Sequence, residues 1–182
     1  AQAQTRSDEI VVTANRRETA LQQVPIAVTP VTAELIQNAD IRDIQDLSLV
    51  TPSLQFNVSE NETSATGRIR GIGTQGSNPG LESAVGVFVD GVYRARNGVA
   101  LTDLGELSQI EVLRGPQGTL FGRNTSAGLI NITTAAPDMT GFHFGGDATF
   151  GDYNEQRISG YVTGPLIDNR LAYRLFAVSS KR

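Results

Sequence analysis

The chain has 182 residues, of which 39% are hydrophobic, and its 15 basic and 19 acidic residues give a net charge of -4. That length can bury the core of one domain, and the hydrophobic fraction argues against a disordered chain. The absence of Cys and the single His exclude disulfide frameworks, thiolate zinc sites and multi-histidine metal centres within the chain. No apolar run approaches the roughly 18 residues of a membrane-spanning helix, and no basic block indicates nucleic-acid binding. We therefore expect no cofactor and no nucleic-acid partner.

The first 23 residues are polar apart from one short apolar patch. Ala1–Ala3 has the small-residue spacing found near signal-peptidase sites, which is typical of an exported bacterial protein. The patch, Ile10–Ala14, follows Glu9 and is rich in β-branched residues. A strand-prone segment in a polar tail can add as an edge strand to the sheet of a partner, but it can also be an ordinary first strand of the domain. The pattern leaves both interpretations open.

The next part of the chain predicts strands and short helices. Val24–Val28 has the pattern of a strand, and Thr32 is placed to cap a short helix over Ala33–Asn38. Ile41, Ile44 and Leu47 recur at a spacing of three and predict a second short helix, which ends at Thr51-Pro52. A strand is predicted at Leu54–Val58, and a polar loop at Asn61–Thr66. These elements begin a small mixed domain.

A β-rich stretch completes that domain. Asp90-Gly91 lies between two apolar runs, and this is a strong hairpin signal because a type I′ turn needs positive φ at both central residues. The hairpin strands are predicted at Val85–Val89 and Val92–Arg94. Two further strands are predicted at Ile110–Leu113 and Leu129–Thr133, with a Gly-rich loop between them at Gly115–Gly128. The mixed domain is therefore expected to end near Pro137.

After Pro137 the hydrophobic pattern changes to alternation. Three segments of about ten residues alternate apolar and polar side chains, and turn residues separate them. They are Phe142–Phe150, Arg157–Leu166 and Arg170–Ser180. Such segments are typical of the wall of an outer-membrane β-barrel, but an ordinary half-buried antiparallel sheet gives the same alternation. The pattern leaves both architectures open.

Two features resemble catalytic signals but lack the required context. Gly71–Gly76 matches G-x-G-x-x-G, yet Ser77–Gly80 follows and cannot open the helix that a dinucleotide site needs. His143 lies within a predicted strand, and the sequence contains no G-x-S-x-G motif for a nucleophile. No pair of carboxylates stands out. We therefore expect that the protein is not an enzyme.

The stretch Gln109–Asn124, QIEVLRGPQGTLFGRN, resembles the plug-domain signature of TonB-dependent outer-membrane transporters. Four further motifs occur in that family's order: the TonB box, an R-G-I element, a V-D-G-V hairpin and a G-x-I-N-I-x-T strand. They lie at Ile10–Ala14, Arg70–Ile72, Val89–Tyr93 and Gly128–Thr134. The alternating segments then begin where the barrel strands of the family start.

This resemblance implies a fold and a location. The implied fold is an α+β plug domain, with a small mixed β-sheet and short helices, followed by the first antiparallel strands of a transmembrane β-barrel. It divides the chain into a periplasmic tail with the TonB box (1–23), a plug domain (24–137) and three strands of an incomplete barrel (138–182). The protein is expected in the bacterial outer membrane, in contact with its lipid, with the N-terminus in the periplasm.

The resemblance also implies a function and the residues that perform it. The family binds scarce substrates, such as ferric siderophores, and TonB pulls on the plug to admit them to the periplasm. The residues expected to bind TonB are Glu9, Ile10, Val11, Val12, Thr13 and Ala14. Those expected to contact substrate are Arg70, Gly73, Thr74, Gln75, Tyr93, Arg94, Arg96 and Asn97. Polar contacts between plug and barrel are expected at Glu111, Arg114 and Arg123.

Two alternatives to these assignments remain at this point. The chain could be a self-standing periplasmic binding module with a plug-like fold and no transport activity. Arg70 and Tyr93 could pack within the plug instead of contacting substrate. Solubility separates the first alternative from the transporter: if the three alternating segments are barrel wall, their unpaired edges and apolar face should make them aggregate or require detergent.

Overall fold

The computed structural model describes residues 10–14, 17, 19–39, 41, 46–58, 65–74, 82–95, 106–151 and 156–181 of the chain. The chain forms two compact units, Ala1–Thr133 and Thr134–Arg182. Within the described ranges, no helix is both long and apolar enough to cross a membrane.

The first unit contains ten strands and three short helices among its described residues. In chain order they are β1 (Val11–Val12), β2 (Thr19–Ala20), β3 (Ala27–Thr32), α1 (Ala33–Asn38), α2 (Leu47–Val50), β4 (Leu54–Val58), β5 (Ala65–Ile69), β6 (Ile72–Gly73), β7 (Val85–Val89), β8 (Val92–Arg94), β9 (Leu107–Arg114), α3 (Gly118–Phe121) and β10 (Gly128–Thr134). A 3-10 turn over Leu21–Gln23 follows β2. The last residue of β10 belongs to the second unit.

A five-stranded sheet in the order β3-β9-β10-β7-β8 organises the first unit. Strand β3 runs antiparallel to β9, and β10 runs parallel to β7. Most residues of β7, β9 and β10 are buried. A strand with both faces covered has a nearly continuous run of apolar residues, and this explains why these three strands could be predicted from the sequence.

The two faces of this sheet differ in composition. The first face carries apolar residues such as Val87, Ile110 and Ile130, which pack against α1, α2 and the β4–β5 hairpin. The second face carries a smaller cluster, which we call the N-terminal cluster because residues of the N-terminal segment join it. Its buried members are Val12, Ala14, Phe88, Leu113 and Leu129. Burying each large side chain contributes about 1.5–3 kcal/mol before conformational entropy is subtracted.

Several predicted elements are present in the structure with small changes in their bounds. Thr32 caps α1 as predicted, because its Oγ1 accepts a hydrogen bond from the Leu35 N–H at 3.4 Å. The strand predicted at Val24–Val28 begins later, at Ala27. The loop predicted over Asn61–Thr66 is wrong at its end, where Ala65 already starts β5. Residues 42–45 of the second predicted helix lie outside the described residues.

Two tight turns adopt left-handed backbone conformations. Asp90 and Gly91 have φ values of 49° and 77°, which confirms the predicted hairpin between β7 and β8. Arg70 and Gly71 have φ values of 53° and 78° and join β5 to β6 in the same way. The first half of the G-x-G-x-x-G match is therefore a β-hairpin turn, which gives the match a structural role.

The second unit is an antiparallel sheet of three strands, β11 (His143–Phe150), β12 (Gln156–Ile167) and β13 (Leu171–Lys181). On one face Phe144 lies opposite Val162, which lies opposite Leu175. Large apolar side chains of this unit are exposed, Phe144 at 77% and Leu175 at 63%. The predicted alternation therefore gives a sheet with an apolar face whose large side chains are exposed among the described residues.

The opposite face of this sheet carries an ordered polar group. The Tyr161 ring lies against Gly145, where an added Cβ would come within 2.7 Å of the ring. The Arg174 guanidinium stands 4.6 Å from the centre of the same ring, and its Nη1 donates to the Ala136 carbonyl at 3.1 Å. Glycine at position 145 thus makes room for an aromatic ring that supports a cation.

Candidate functional site

The apolar segment Ile10–Ala14 lies on the second face of the five-stranded sheet. Within it, β1 pairs with β2 in antiparallel register. Val12 and Ala14 are fully buried, whereas Ile10 and Val11 are 38% and 45% exposed. Val11 and Val12 of the segment thus form the short strand β1, and Val12 and Ala14 turn one side of the segment into the N-terminal cluster.

A buried carboxylate holds the segment in place. Glu111 is 1% exposed and accepts hydrogen bonds from both the N–H and the Oγ1 of Thr13, the latter at 3.0 Å. It also accepts from Gln109 Nε2 at 3.0 Å and from Asn131 Nδ2 at 3.1 Å. A buried carboxylate is stable only when donors satisfy its oxygens, and here four hydrogen bonds do so.

Gln109 and Asn131 also reach the segment directly. Gln109 Nε2 donates to the Val11 carbonyl at 3.2 Å, and Asn131 Nδ2 donates to Thr13 Oγ1 at 2.9 Å. We call Gln109, Glu111 and Asn131 the polar socket. The socket joins residues about a hundred positions apart in sequence and lies beside the apolar N-terminal cluster.

Sequence reasoning missed two members of the socket, Gln109 and Asn131. A signal was available: Glu111 and Asn131 interrupt strands that otherwise read as continuously buried. A polar residue inside such a strand needs a partner, because an unpaired buried polar group costs about 1–3 kcal/mol. The identity of that partner, Thr13, could not be read from the sequence.

The three residues predicted to contact the barrel differ in environment. Glu111 is buried in the first unit and accepts hydrogen bonds from Thr13 of the N-terminal segment. The Nε atom of Arg114 is buried without a hydrogen-bond partner among the described residues. The same holds for Nε of Arg68, a residue that was not among the predicted site residues. Arg123 is exposed and forms an ion pair with Glu82 at 3.3 Å.

The described residues predicted to contact substrate occupy two hairpins. Arg70 and Arg94 are exposed, at the β5–β6 turn and at the end of β8. Thr74 Oγ1 donates to the Glu82 carbonyl at 2.8 Å and accepts from the Ala84 N–H at 2.9 Å. Gly73 pairs with Arg68 on β5. Three further predicted residues, Gln75, Arg96 and Asn97, lie outside the described residues, as does Glu9.

Tyr93 contacts Asn124 and Phe88 within the first unit. Its hydroxyl accepts a hydrogen bond from Asn124 Nδ2 at 2.6 Å, and its ring centre lies 5.5 Å from that of Phe88. Phe88 also contacts Phe121 of α3, so three aromatic rings tie the β7–β8 hairpin to the loop that follows β9. Sequence reasoning predicted this loop as irregular and missed both α3 and the aromatic contacts.

The described residues contain no group of three or more His, Cys, Asp or Glu side chains that could hold a metal ion. The one histidine, His143, places Nε2 3.2 Å from Asp138 Oδ2. Hydrogen bonds from Thr140, chiefly from its side chain, lower the pKa of Asp138 below its ordinary value. This pair lies next to β11 and has the character of a local turn contact.

Comparison with known proteins places this geometry in a family. A family profile described as TonB-dependent Receptor Plug Domain matches residues 20–129. The pesticin receptor of Yersinia pestis is 34% identical over 179 residues, which cover 94% of this chain and 25% of that protein. The ferrioxamine B receptor of Salmonella typhimurium is 30% identical and covers 96% of this chain and 26% of that protein.

Solved structures agree with these relatives. The ferric yersiniabactin uptake receptor from Yersinia pestis superimposes with a TM-score of 0.73 at 30% identity, over 84% of this chain and 24% of that one. The ferripyoverdine receptor of Pseudomonas aeruginosa has the same fold, with a TM-score of 0.77 at 21% identity, over 93% of this chain and 22% of that one. The chain therefore spans about a quarter of the length of these relatives. The chain belongs to the TonB-dependent receptor family and carries its plug domain.

Proposed function

We propose that the chain is the N-terminal part of a TonB-dependent outer-membrane active transporter, which binds a scarce substrate and gates its uptake into the periplasm. The observation that carries this proposal is the docked segment Ile10–Ala14. It is a short strand at the N-terminal end of a plug domain, and the socket that holds it consists of hydrogen bonds that can exchange. Its relatives are receptors, and we propose no catalytic activity.

We propose that Glu9–Ala14 binds the periplasmic domain of TonB by strand addition. An extended segment adds to a sheet edge through its backbone N–H and carbonyl groups, while alternate side chains fill pockets. Residues of the segment already pair as a strand with β2, so their backbone is suited to the same mode with another chain. The N-terminus would then lie in the periplasm.

We propose that the sheet β11–β13 contacts outer-membrane lipid. Its apolar face includes the exposed side chains Phe144, Ile158 and Leu175. Soluble monomers rarely leave a large contiguous apolar patch in contact with water. Alternation of apolar and polar residues with long antiparallel strands is the pattern of an outer-membrane barrel wall. The division into tail, plug and barrel strands at residues 23 and 137 belongs to this proposal.

We propose a ferric siderophore, or a similar ferric chelate, as the substrate. The named relatives and the structural neighbours include receptors for ferrioxamine B, ferric yersiniabactin and ferripyoverdine. Exposed Arg70 and Arg94 carry the positive charge that an anionic chelate requires, because guanidinium groups pair well with carboxylate-bearing ligands. The proposed contact set also includes Gly73, Thr74, Gln75, Tyr93, Arg96 and Asn97.

The test is uptake by a strain that lacks its own receptor and expresses the full-length receptor. We expect TonB-dependent uptake of radiolabelled ferric yersiniabactin or ferrioxamine B, with cyanocobalamin as a substrate without iron. Val11→Pro should abolish uptake and leave substrate binding intact, because it removes the Val11 N–H, which points away from β2 toward the edge that another strand would use. Val11→Thr, which keeps the N–H and nearly the same shape at this half-exposed position, is the matched control. Recovery of the receptor in the soluble periplasmic fraction would instead favour a binding module without transport activity.

A further inference from the structure

One edge of β1 is occupied by β2. The Ile10 carbonyl accepts a hydrogen bond from the Leu21 N–H at 2.9 Å, and Val12 lies opposite Thr19. In a strand, the backbone groups of successive residues point to opposite edges. Since Ile10 and Val12 face β2, the backbone groups of Val11 point to the other edge.

That outer edge is occupied by side chains of β9. Gln109 Nε2 donates to the Val11 carbonyl at 3.2 Å, and a Glu111 oxygen accepts from the Thr13 N–H. One side chain thus supplies a donor and the other an acceptor, two residues apart along β9. A neighbouring strand would offer the same alternation of donor and acceptor.

We propose that Gln109 and Glu111 imitate a neighbouring strand and close the outer edge of β1 to strand addition. The partner excluded in this way is an extended segment of another polypeptide, because it would need the same Val11 carbonyl and Thr13 N–H. Identifying that segment as part of TonB rests on the function proposed above. Docking and strand addition compete for two backbone groups, so Gln109 and Glu111 are positioning residues that set the fraction of molecules with an open edge.

The chemistry of Glu111 makes it the residue on which closure depends. All four of its hydrogen bonds are donated to it, by Thr13, Gln109 and Asn131. A carboxylate accepts on both oxygens, whereas the amide of a glutamine would turn an NH₂ group toward donors. Glu111→Gln keeps the shape of the side chain and removes the hydrogen-bonding pattern, so it separates this role from packing.

The composition of the second face favours reversible opening. On the first face, the neighbouring positions of β9 and β10 are the buried apolar residues Ile110, Val112, Ile130 and Ile132. On the second face, the apolar residues Leu113 and Leu129 alternate with Glu111 and Asn131, and these two polar residues lie under the segment. When the segment leaves, water can solvate these two polar groups, so the exposed face loses less than an apolar face would.

The closing experiment measures edge opening directly in the intact receptor. This chain has no cysteine, so Val11→Cys places a single spin label within it, on a side chain that is already 45% exposed. We expect an immobile label in the parent protein and a mobile fraction at least about tenfold larger in Glu111→Gln. Gln109→Leu should increase the mobile fraction less, because it leaves Thr13 held by Glu111.

Two variants control for loss of structure. Glu34→Gln removes a carboxylate from an exposed position on α1 and should leave the label immobile. The double exchange Glu111→Gln with Asn131→Asp restores one carboxylate and one amide to the socket. It should return the mobile fraction to within about threefold of the parent, which a packing defect at position 111 would not allow.

Binding of the periplasmic domain of TonB is measured separately on unlabelled variants. We expect Glu111→Gln to bind it about tenfold more tightly than the parent, because less of the segment is docked. An immobile label in Glu111→Gln overturns the inference. A mobile label with unchanged, nonzero TonB affinity overturns the competition. A mobile label with no TonB binding by any variant supports edge closure and refutes the proposed partner.

Discussion

Phe88 and Phe121 meet edge to face, with ring centres 5.1 Å apart and planes inclined at 68°. The contact joins strand β7 to helix α3, and Phe88 also belongs to the N-terminal cluster with Val12 and Ala14. One buried ring therefore packs against the loop after β9 and against the docked segment. Such edge-to-face pairs contribute about 0.5–1.5 kcal/mol beyond the area that they bury.

Removing the Phe88 ring should weaken its packing against α3 and against the docked segment. We expect Phe88→Ala to lower the free energy of unfolding of the plug by about 3–5 kcal/mol, since it leaves a cavity the size of a phenyl group. Urea unfolding of the intact protein, followed by hydrogen exchange of the β9 and β10 amides, measures this change. Tyr93→Phe keeps the rings and removes only the hydrogen bond from Asn124, so a comparable loss in that variant would contradict the assignment.

The hydroxyl of Thr13 should contribute less to docking than its backbone. Thr13→Val removes the side-chain bonds with Glu111 and Asn131 but keeps the N–H that Glu111 accepts. We expect the docked segment to exchange its amide hydrogens about five- to tenfold faster than in the parent protein. Thr19→Val, on the paired strand, is the matched control, and equal acceleration there would argue against a specific role for Thr13.

Gly128 allows the start of β10 to lie close to β9. Its φ is 144°, and an added Cβ would lie within 2.7 Å of Ile69 Cδ1 and closer still to the Leu113 carbonyl. We expect Gly128→Ala to destabilise the plug by at least about 2 kcal/mol, through backbone strain and overpacking together. Gly118→Ala, where nothing lies within 4 Å, should be nearly neutral by the same denaturation measurement.

The exposed face of β11 should tolerate charge poorly if it faces lipid. Phe144→Lys places an ammonium group among apolar side chains, and such changes cost about 2–4 kcal/mol near the middle of a membrane. We expect reduced recovery of the full-length receptor in the outer-membrane fraction. Thr149→Lys, on the opposite face of the same strand, should be recovered normally. Equal recovery of both variants would refute a lipid-facing role for Phe144.

Arg114 should act in uptake and not in substrate affinity. Its Nε is buried and lacks a partner among the described residues, which fits a contact that the barrel completes. We expect Arg114→Ala to reduce uptake at least about tenfold while substrate binding changes less than about twofold. Arg123→Ala, which breaks an exposed ion pair with Glu82, should have little effect on either measurement. Equal loss of uptake and binding in Arg114→Ala would exclude this role.

Local patterns were sufficient to predict β4, β7, β8 and β10 of the plug and the three strands of the second unit, but not β2, β5 or β6. Val85–Val89 and the turn at Asp90-Gly91 follow from apolar runs around a dipeptide that accepts positive φ. The cap of α1 at Thr32 also follows from local chemistry. The turn at Arg70–Gly71 was missed because arginine gives no signal for a left-handed backbone, which the surrounding hairpin imposes.

The socket could not be predicted because its partners are distant in sequence. Thr13 and Glu111 are 98 residues apart, and no local pattern records which strand a buried carboxylate will meet. Sequence reasoning assigned Glu111 to a barrel contact from the family resemblance. In the structure hydrogen bonds from Thr13 of the docked segment satisfy its carboxylate, and the barrel contact stays a prediction.

The antiparallel pairing of β1 and β2 has a mechanical consequence. Ile10 and Leu21 lie side by side at the open end of this hairpin. Tension applied ahead of Ile10 and resisted beyond Leu21 would load that end first, so the paired residues would separate in succession and not all together. Unzipping of this kind needs only the force that breaks a single pair at a time. The polar socket around Thr13 would be the last region to release, and under a steady force it would release in a single step.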